Sequence, residues 1–258
     1  MTSNANNAPE LQPDTSGLSR SQLAWVAAIA NQFRMEHEFW RDPASDLFTE
    51  QVLDVFGDVL RVHHAFSRQA LSKDRFEFAL EFALNQAGAA AQLVQSRTNP
   101  GHDITINGVP VSLKTQADAN IREGSLHISK FMELGKGEWS LPLLRNSFLE
   151  HLRSYERIFQ LRFFCDKANS HFYELVEIPK DLLLEGATAK LEVQRKSKQK
   201  PKPGYGYVFD TSGDLKFSLY FDGGTERKLQ IKGIRKELCV VHATWKFSSS
   251  PIEQSLAC

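Results

Sequence analysis

An aspartate, a serine and a lysine flank the dipeptide Asn107-Gly108 at a spacing that a β-hairpin would bring together. Asp103 precedes the dipeptide, and Ser112 and Lys114 follow it. Asn-Gly between two runs that alternate polar and apolar residues is a strong signal for a two-residue hairpin turn. Carboxylate oxygens suit a hard cation such as Mg²⁺, and a lysine can position or deprotonate water. These residue types therefore suit hydrolysis assisted by a divalent cation.

The predicted turn fixes which residues of the hairpin face each other. The expected pairs are Ile106 with Val109, Thr105 with Pro110, Ile104 with Val111, and Asp103 with Ser112. Because side chains alternate along a strand, Asp103, Ser112 and Lys114 should emerge on one face. The other face can be buried against a helix, and it carries Ile104, Ile106, Val109, Val111 and Leu113.

This arrangement resembles the PD-(D/E)xK nuclease core, but it lacks one acid. Ser112 stands where a carboxylate is usual, so a metal ion would be one ligand short. Glu77 or Glu81, one turn apart in a predicted helix, could supply the missing charge. The alternatives are that Glu77 is solvated and supported by Lys73, and that the hairpin face is an ordinary solvated surface.

Helical periodicity dominates the first hundred residues, and strand patterns dominate the rest. Predicted helices span residues 19–39, 46–66 (with Ser45 as its cap), 74–93, 139–155 and 180–184. Predicted strands follow the hairpin at 157–164, 171–178, 191–194, 205–209, 215–221, 228–231 and 239–245. This order predicts an α/β protein with a mixed central sheet flanked by helices. We expect a flexible tail at 1–17, one domain over 18–250 and a C-terminal tail at 251–258.

The composition is that of an ordinary soluble protein. With 258 residues, 41% hydrophobic and 24% charged, the chain is not collagen-like, membrane-embedded or wholly disordered. Its three cysteines are too few for a disulfide framework. We expect Cys165 and Cys239 to lie in strands, with their side chains in the core. No signal peptide or long apolar stretch is visible, which indicates a reduced, cytoplasmic protein with no membrane partner.

A formal net charge of zero conceals a basic second half. Residues 151–258 carry 18 basic and 13 acidic side chains, and residues 190–202 carry 6 basic and 1 acidic. Such a run can neutralise phosphates, although it can also be a solvated, mobile loop. Arginine and lysine read guanine in the major groove, so Arg195, Arg227 and Lys228 are the candidate base readers. The other candidate DNA contacts are Lys130, Lys136, Lys196, Lys198 and Lys232.

Adjacent histidines at positions 63 and 64 do not form a convincing metal pair. Neighbouring residues on a helix point about 100° apart, so both rings cannot easily bind one ion. We expect His63 and His64 to have a surface or capping role.

Longer segments of the chain resemble the SmaI-type family of Type II restriction endonucleases, within the PD-(D/E)xK class. They run in order from about residue 70 to 246: RTNPGHDITI (97–106), LKT (113–115), ISKFMELGKGEW (128–139), YERIF (155–159), LVEIPKDLLLE (175–185), KPGYGYV (202–208), KFSLYFDGG (216–224) and ERKLQIK (226–232). The family pattern is loose at its middle position, so Ser112 does not by itself argue against activity.

The resemblance implies specific roles for the motif residues. Asp103 would be the central metal ligand, Lys114 the catalytic lysine, and Glu77, rather than Glu81, the helical acid. A backbone carbonyl near Leu113 would complete the Mg²⁺ site. The resemblance also implies a homodimer that cleaves double-stranded DNA at a GC-rich palindrome, CCCGGG.

A dimer contact is expected on the helix over residues 139–155, because that helix is amphipathic. On this hypothesis, charged residues at Leu144 and Phe148 would yield a monomer. Two rivals stay open: a nickase or non-restriction nuclease on the same core, and a catalytically silent DNA-binding protein.

Overall fold

The computed structural model describes residues 14–94, 101–118, 121–165 and 170–249. Its helices are α1 (Arg20–Arg34), α2 (Glu50–Phe66), α3 (Lys73–Gln86), α4 (Leu141–His151) and α5 (Lys180–Leu184). Its strands are β1 (His37–Arg41), β2 (Ala91–Leu93), β3 (Ile104–Ile106), β4 (Val109–Gln116), β5 (Ser125–Glu133), β6 (Arg157–Cys165), β7 (Ser170–Glu177), β8 (Lys190–Val193), β9 (Gly204–Phe209), β10 (Leu215–Asp222), β11 (Lys228–Arg235) and β12 (Val240–Ser248). Residues 1–13 of the expected N-terminal tail (1–17) and the expected C-terminal tail (251–258) lie outside the described residues.

Two sheets organise these strands. The main sheet has seven strands in the order β1-β12-β7-β6-β4-β3-β2, and the second has five in the order β5-β11-β10-β9-β8. In the main sheet β4 pairs with β6 in parallel, and the other pairs are antiparallel. The predicted mixed central sheet with flanking helices is therefore confirmed.

The main sheet separates two hydrophobic cores. On one face, α2 and α3 pack against the sheet through Phe56 and Leu80, which belong to the same core as Leu113. On the other face, α4 and the second sheet share a core with Ile158 and Val176 of the main sheet. Consecutive residues of β6, Ile158 and Phe159, belong to opposite cores, as the alternation of a doubly covered strand requires.

Three predicted helices have different ends in the structure. Helix α1 stops at Arg34, because residues 37–41 pair with β12 as a strand instead. Helix α2 begins after Thr49, whose hydroxyl accepts the Val52 N–H, whereas Ser45 bonds the ring of His242 and caps nothing. Helix α3 ends at Gln86, before Gly88 at a φ of 79°, and residues 91–93 form β2.

Two further expectations are corrected. Strand β5 was not among the predicted strands, although its first five residues, SLHIS, alternate polar and apolar side chains. Cys239 is half-buried and lies just before β12, so it does not belong to the strand core. In the part of the chain that the structure describes, no helix is long and apolar enough to cross a membrane.

Candidate active site

The predicted hairpin forms with the expected turn and register. Its turn residues, Asn107 and Gly108, have φ angles of 49° and 84°, as a two-residue turn between twisted strands requires. The pairs Ile104 with Val111, Thr105 with Pro110, and Ile106 with Val109 are all present. The apolar face of the hairpin is buried under α2 and α3, so the polar face points to the opposite side.

Asp103, Ser112 and Lys114 come together on that polar face. The carboxylate of Asp103 accepts hydrogen bonds from Ser112 Oγ at 3.1 Å and from the Leu113 N–H at 2.6 Å. Lys114 Nζ donates to Ser112 Oγ at 2.7 Å and lies 3.7 Å from Asp103 Oδ2. The convergence expected from the turn is therefore confirmed, with Ser112 between the acid and the base.

The helix α3 brings Glu77, and not Glu81, to the same place. Lys73 Nζ donates to Glu77 and also to Asp103 Oδ1, at 2.8 Å, so one ammonium group bridges the two carboxylates. Glu81 instead accepts the backbone N–H of Leu93 at 2.8 Å, which ties α3 to β2. Glu81 is thus committed to a structural contact, whereas Glu77 faces Asp103.

Burial and neighbouring charges shift the protonation of these groups. Burial lowers the pKa of Lys114 below its ordinary range, and the nearby Asp103 offsets only part of that effect. Burial would raise the pKa of Asp103, but the ammonium groups of Lys114 and Lys73 hold it below its usual value. Burial raises the pKa of Glu77 despite its contact with Lys73. Burial therefore favours the neutral form of Lys114, whereas Asp103 stays charged.

An aromatic wall lies over Lys114. Its Nζ is 5.8 Å from the ring centroid of Phe131, and the rings of His151 and Tyr155 contact that of Phe131 edge-on. Burial lowers the pKa of His151 to about 4 and raises that of Tyr155. Sequence reasoning missed all three aromatic residues, because β5 and α4 bring them to the site from outside the motif.

The oxygen atoms around Asp103 suit a small, hard cation. Within the described residues no cluster of three or more His, Cys, Asp or Glu side chains could hold a metal ion. Glu77 and Asp103 nevertheless present two carboxylates, and the Leu113 carbonyl, which accepts Lys114 Nζ at 3.3 Å, lies beside them. Such oxygen-only donors, completed by water, are what Mg²⁺ prefers. These oxygen donors therefore fit Mg²⁺, with ordered water completing its coordination shell.

The basic loop over residues 194–203 is packed against the protein. Trp139 Nε1 donates to the Lys202 carbonyl at 2.7 Å, and Gln199 Nε2 donates to Asp222 at 3.2 Å. The backbone of this loop lies so close to Gly223 that a Cβ atom there would come within 2.0 Å of the Pro201 carbonyl oxygen. The loop thus presents its exposed side chains, which include Arg195, Lys196 and Lys198, from a fixed backbone.

Among the other predicted DNA contacts, one lies near the same tryptophan and others are exposed or paired with acids. The guanidinium of Arg227 lies 5.7 Å from the ring of Trp139, and Arg227 has a φ of 43°, which non-glycine residues rarely adopt. Lys228 pairs with Glu226 at 2.8 Å, and Lys130 with Glu133 at 2.9 Å, while Lys136 is exposed.

Lys232 and the two histidines have other surroundings. Lys232 Nζ lies 3.9 Å from the ring centroid of Tyr220. Lys232 is four residues after Lys228 on β11, a distance of about 13 Å along the strand. His64 is buried rather than on the surface, and its ring stacks on His171 at 3.8 Å. Both His63 and His64 contact backbone carbonyls just beyond α2, consistent with the expected capping role.

Comparison with known proteins identifies close relatives. A family model described as SmaI, Type II site-specific deoxyribonuclease, matches residues 11–247. The Type II restriction enzyme SmaI of Serratia marcescens is 53% identical over 229 residues, which cover 89% of this chain and 91% of that enzyme. No solved structure matches the chain.

Proposed function

The chain belongs to the SmaI family of Type II site-specific deoxyribonucleases, and from that premise we propose a Mg²⁺-dependent cleavage of double-stranded DNA at CCCGGG. The observation that carries the proposal is the convergence of Asp103 and Lys114 on Ser112, with Glu77 joined to Asp103 through Lys73. We take this cluster to be the catalytic centre of a PD-(D/E)xK core, within a single cytoplasmic domain over residues 18–250 between tails at 1–17 and 251–258.

Each residue of the cluster has a role in this reaction. Glu77, Asp103 and the Leu113 carbonyl would hold Mg²⁺, which when bound supplies positive charge at the scissile phosphate. Lys114 lies beside the attacking water and accepts its proton, since burial already disfavours the charged lysine. The water attacks phosphorus in line with the 3′ oxygen, which leaves and takes up a proton from solvent. Ser112 positions Lys114 against Asp103.

The cationic side chains of the basic loop, of β5 and of β11, with their neighbours, would contact the DNA. Arg195, Arg227 and Lys228 are the proposed base readers, because each can donate hydrogen bonds to the acceptor edge of guanine. Phosphate contacts usually outnumber base contacts, so the remaining cations orient the duplex. These are Lys130, Lys136, Lys196, Lys198 and Lys232. The packed loop supports this proposal, since a fixed backbone loses less entropy on binding.

A palindromic site matches a protein with two-fold symmetry, so we propose a homodimer with one active centre for each strand. The amphipathic pattern of α4 suggested that this helix forms the contact, but the apolar stripe packs inside the chain itself. Leu144 and Phe148 are 5% and 0% exposed and belong to the chain's own second core, which accounts for the apolar stripe. The pattern therefore gives no reason to place the interface there.

Plasmid cleavage tests the proposal directly. The protein is incubated with a plasmid carrying one CCCGGG site, with and without Mg²⁺, beside a plasmid that lacks the site. Linear product should require both Mg²⁺ and the site, and Lys114→Ala should abolish it. Lys246→Ala is the matched control, because Lys246 makes only an exposed pair with Glu38 on β1; this variant should cut as the wild type does.

Each other outcome rejects a stated part of the proposal. Intact plasmid with a retarded band would mean DNA binding without chemistry and would reject the nuclease mechanism. Nicked circles as the final product would reject cleavage of both strands. Equal cleavage of the plasmid without the site would reject CCCGGG as the recognised sequence.

A further inference from the structure

Lys73 occupies the space between the two carboxylates that are proposed to hold the metal. It is the first residue of α3, directly after the capping residue Ser72, and its side chain extends along the helix toward Glu77, one turn further on. Its Nζ contacts Glu77 Oε1 and lies 2.8 Å from Asp103 Oδ1. One positive charge is thus shared by two acids from different elements.

The ammonium group compensates a costly juxtaposition. The side chains of Glu77 and Asp103 are only 19% and 20% exposed, so water screens their mutual repulsion poorly. The bridging lysine offsets that repulsion directly between the two acids, and Lys114, whose Nζ lies 3.7 Å from Asp103 Oδ2, adds to the effect. An ammonium group and a divalent cation that approach the same carboxylate oxygens repel each other, so the two compete for this place.

The ammonium group of Lys73 is also able to move away from the two carboxylates. Its side chain is 40% exposed, well above that of either acid, and a lysine has a flexible four-carbon stem. The side chain can therefore extend into solvent while its backbone stays in the first turn of α3. Lys114, by contrast, is buried and is held by Ser112, so it has no comparable freedom.

We propose that Lys73 acts as a built-in substitute for the divalent cation: it bridges Glu77 and Asp103 in the metal-free protein and must swing out for a metal ion to bind. This inference rests on the proposed function, because it assumes that these two acids are the metal ligands. Lys73 would then lower the affinity for the metal and keep the two acids in place before the metal arrives.

Metal titration without DNA tests the competition. Mn²⁺ binding is measured by calorimetry, so that no turnover occurs. Lys73→Met should tighten binding about five- to tenfold, the value of a partly exposed ion pair. Arg75→Met is the matched control, since Arg75 is an exposed cation on the same helix; its affinity should stay within about twofold of the wild type.

Chemical labelling of the wild-type protein tests the displacement itself. An amine-reactive acylating reagent is applied with and without saturating Mn²⁺, and the modified lysines are quantified by mass spectrometry. Modification of Lys73 should increase when Mn²⁺ is added, whereas Lys246, whose side chain is exposed on β12, should react equally in both samples. This measurement needs no variant and stands even if Lys73→Met folds poorly.

The outcomes separate this inference from the proposed function. If Asp103→Asn binds Mn²⁺ as the wild type does, the proposed metal site is wrong. If Asp103→Asn loses binding but Lys73→Met binds no tighter than the wild type, or Lys73 labelling does not rise with Mn²⁺, the metal site stands and the role of Lys73 is rejected.

Discussion

Ser112 Oγ accepts a hydrogen bond from Lys114 Nζ at 2.7 Å, and this contact fixes the direction of the lysine side chain. Because serine is neutral, it orients the ammonium without stabilising its charge as a carboxylate would. The carboxylate of Asp103 is farther from Nζ, at 3.7 Å. The usual acid at this position would add a negative charge in direct contact with the lysine. Serine thus helps to keep the pKa of Lys114 low.

Introducing that acid should change the pH dependence of cleavage. In Ser112→Asp the new carboxylate favours charged Lys114 and raises its pKa, so the lysine loses its proton at higher pH. The rising limb of kcat against pH should therefore move by about one unit toward alkaline pH. Ser112→Asn, which is similar in shape and uncharged, should leave the limb in place. Equal pH profiles for the two variants would show that Lys114 does not titrate in the rate-determining step.

Truncating Phe148 should destabilise the chain without dissociating a dimer. Its ring is fully buried and contacts Phe131 in the second core, at a centroid distance of 5.5 Å. Phe148→Ala should lower the free energy of unfolding by about 3–5 kcal/mol, as measured in urea. Sedimentation under native conditions should give the wild-type mass. If Phe148→Ala instead gave a stable, folded monomer, that result would support the hypothesis that α4 forms the dimer interface.

Two cations of the DNA surface should behave differently on substitution. Lys198→Ala removes a proposed phosphate contact, so affinity should fall equally for DNA with and without the site. The slope of log K against log salt should then decrease by about one. Arg227→Ala removes a proposed base contact and should cost about 1–3 kcal/mol on the specific site alone. Parallel losses in the two variants, measured by salt-dependent fluorescence anisotropy, would contradict this division.

Acid should weaken the fold through His64 and His171. Burial lowers the pKa of His64 to about 3 and that of His171 to about 4, whereas both titrate near 6.5 in the unfolded chain. Between these values the unfolded state binds more protons, so stability is lost as pH falls below about 6.5.

The histidine contribution can be isolated by comparing two proteins at two pH values. From pH 7 to pH 5 each buried histidine should cost about 2 kcal/mol. Urea unfolding of His64→Gln should therefore show a smaller loss over this interval than the wild type, by about that amount. An equal loss in the two proteins would mean that His64 becomes charged without unfolding.

The parts of the site that were predictable from sequence depend on local geometry. The turn at Asn107-Gly108 determines which residues of β3 and β4 face each other, and so it brings Asp103 to Ser112 and Lys114. Glu77 was one of two helical candidates, since sequence spacing places both on one stripe of α3. The structure distinguishes them because Glu81 is engaged by the Leu93 N–H, in a strand that was predicted as helix.

The missed features depend on contacts between distant segments. Phe131 reaches Lys114 because β5 crosses near β4, and His151 follows through α4. Strand β1 forms because β12, some 200 residues later in the chain, supplies its hydrogen bonds. The sequence of its five residues alone was therefore not enough to predict a strand. The bridging position of Lys73 likewise needs the relative placement of α3 and β3, which periodicity does not give.

The position of β12 in the sheet determines when other parts of the fold can form during synthesis. This strand lies between β1 and β7, and its Trp245 donates a hydrogen bond to the Leu53 carbonyl in α2. In the described residues β12 is the neighbour of the edge strand β1, so β1 can join the sheet only once β12, which ends at Ser248, has been synthesised. A nascent chain that stops before β12 therefore lacks both the partner of this edge strand and the Trp245 contact to α2.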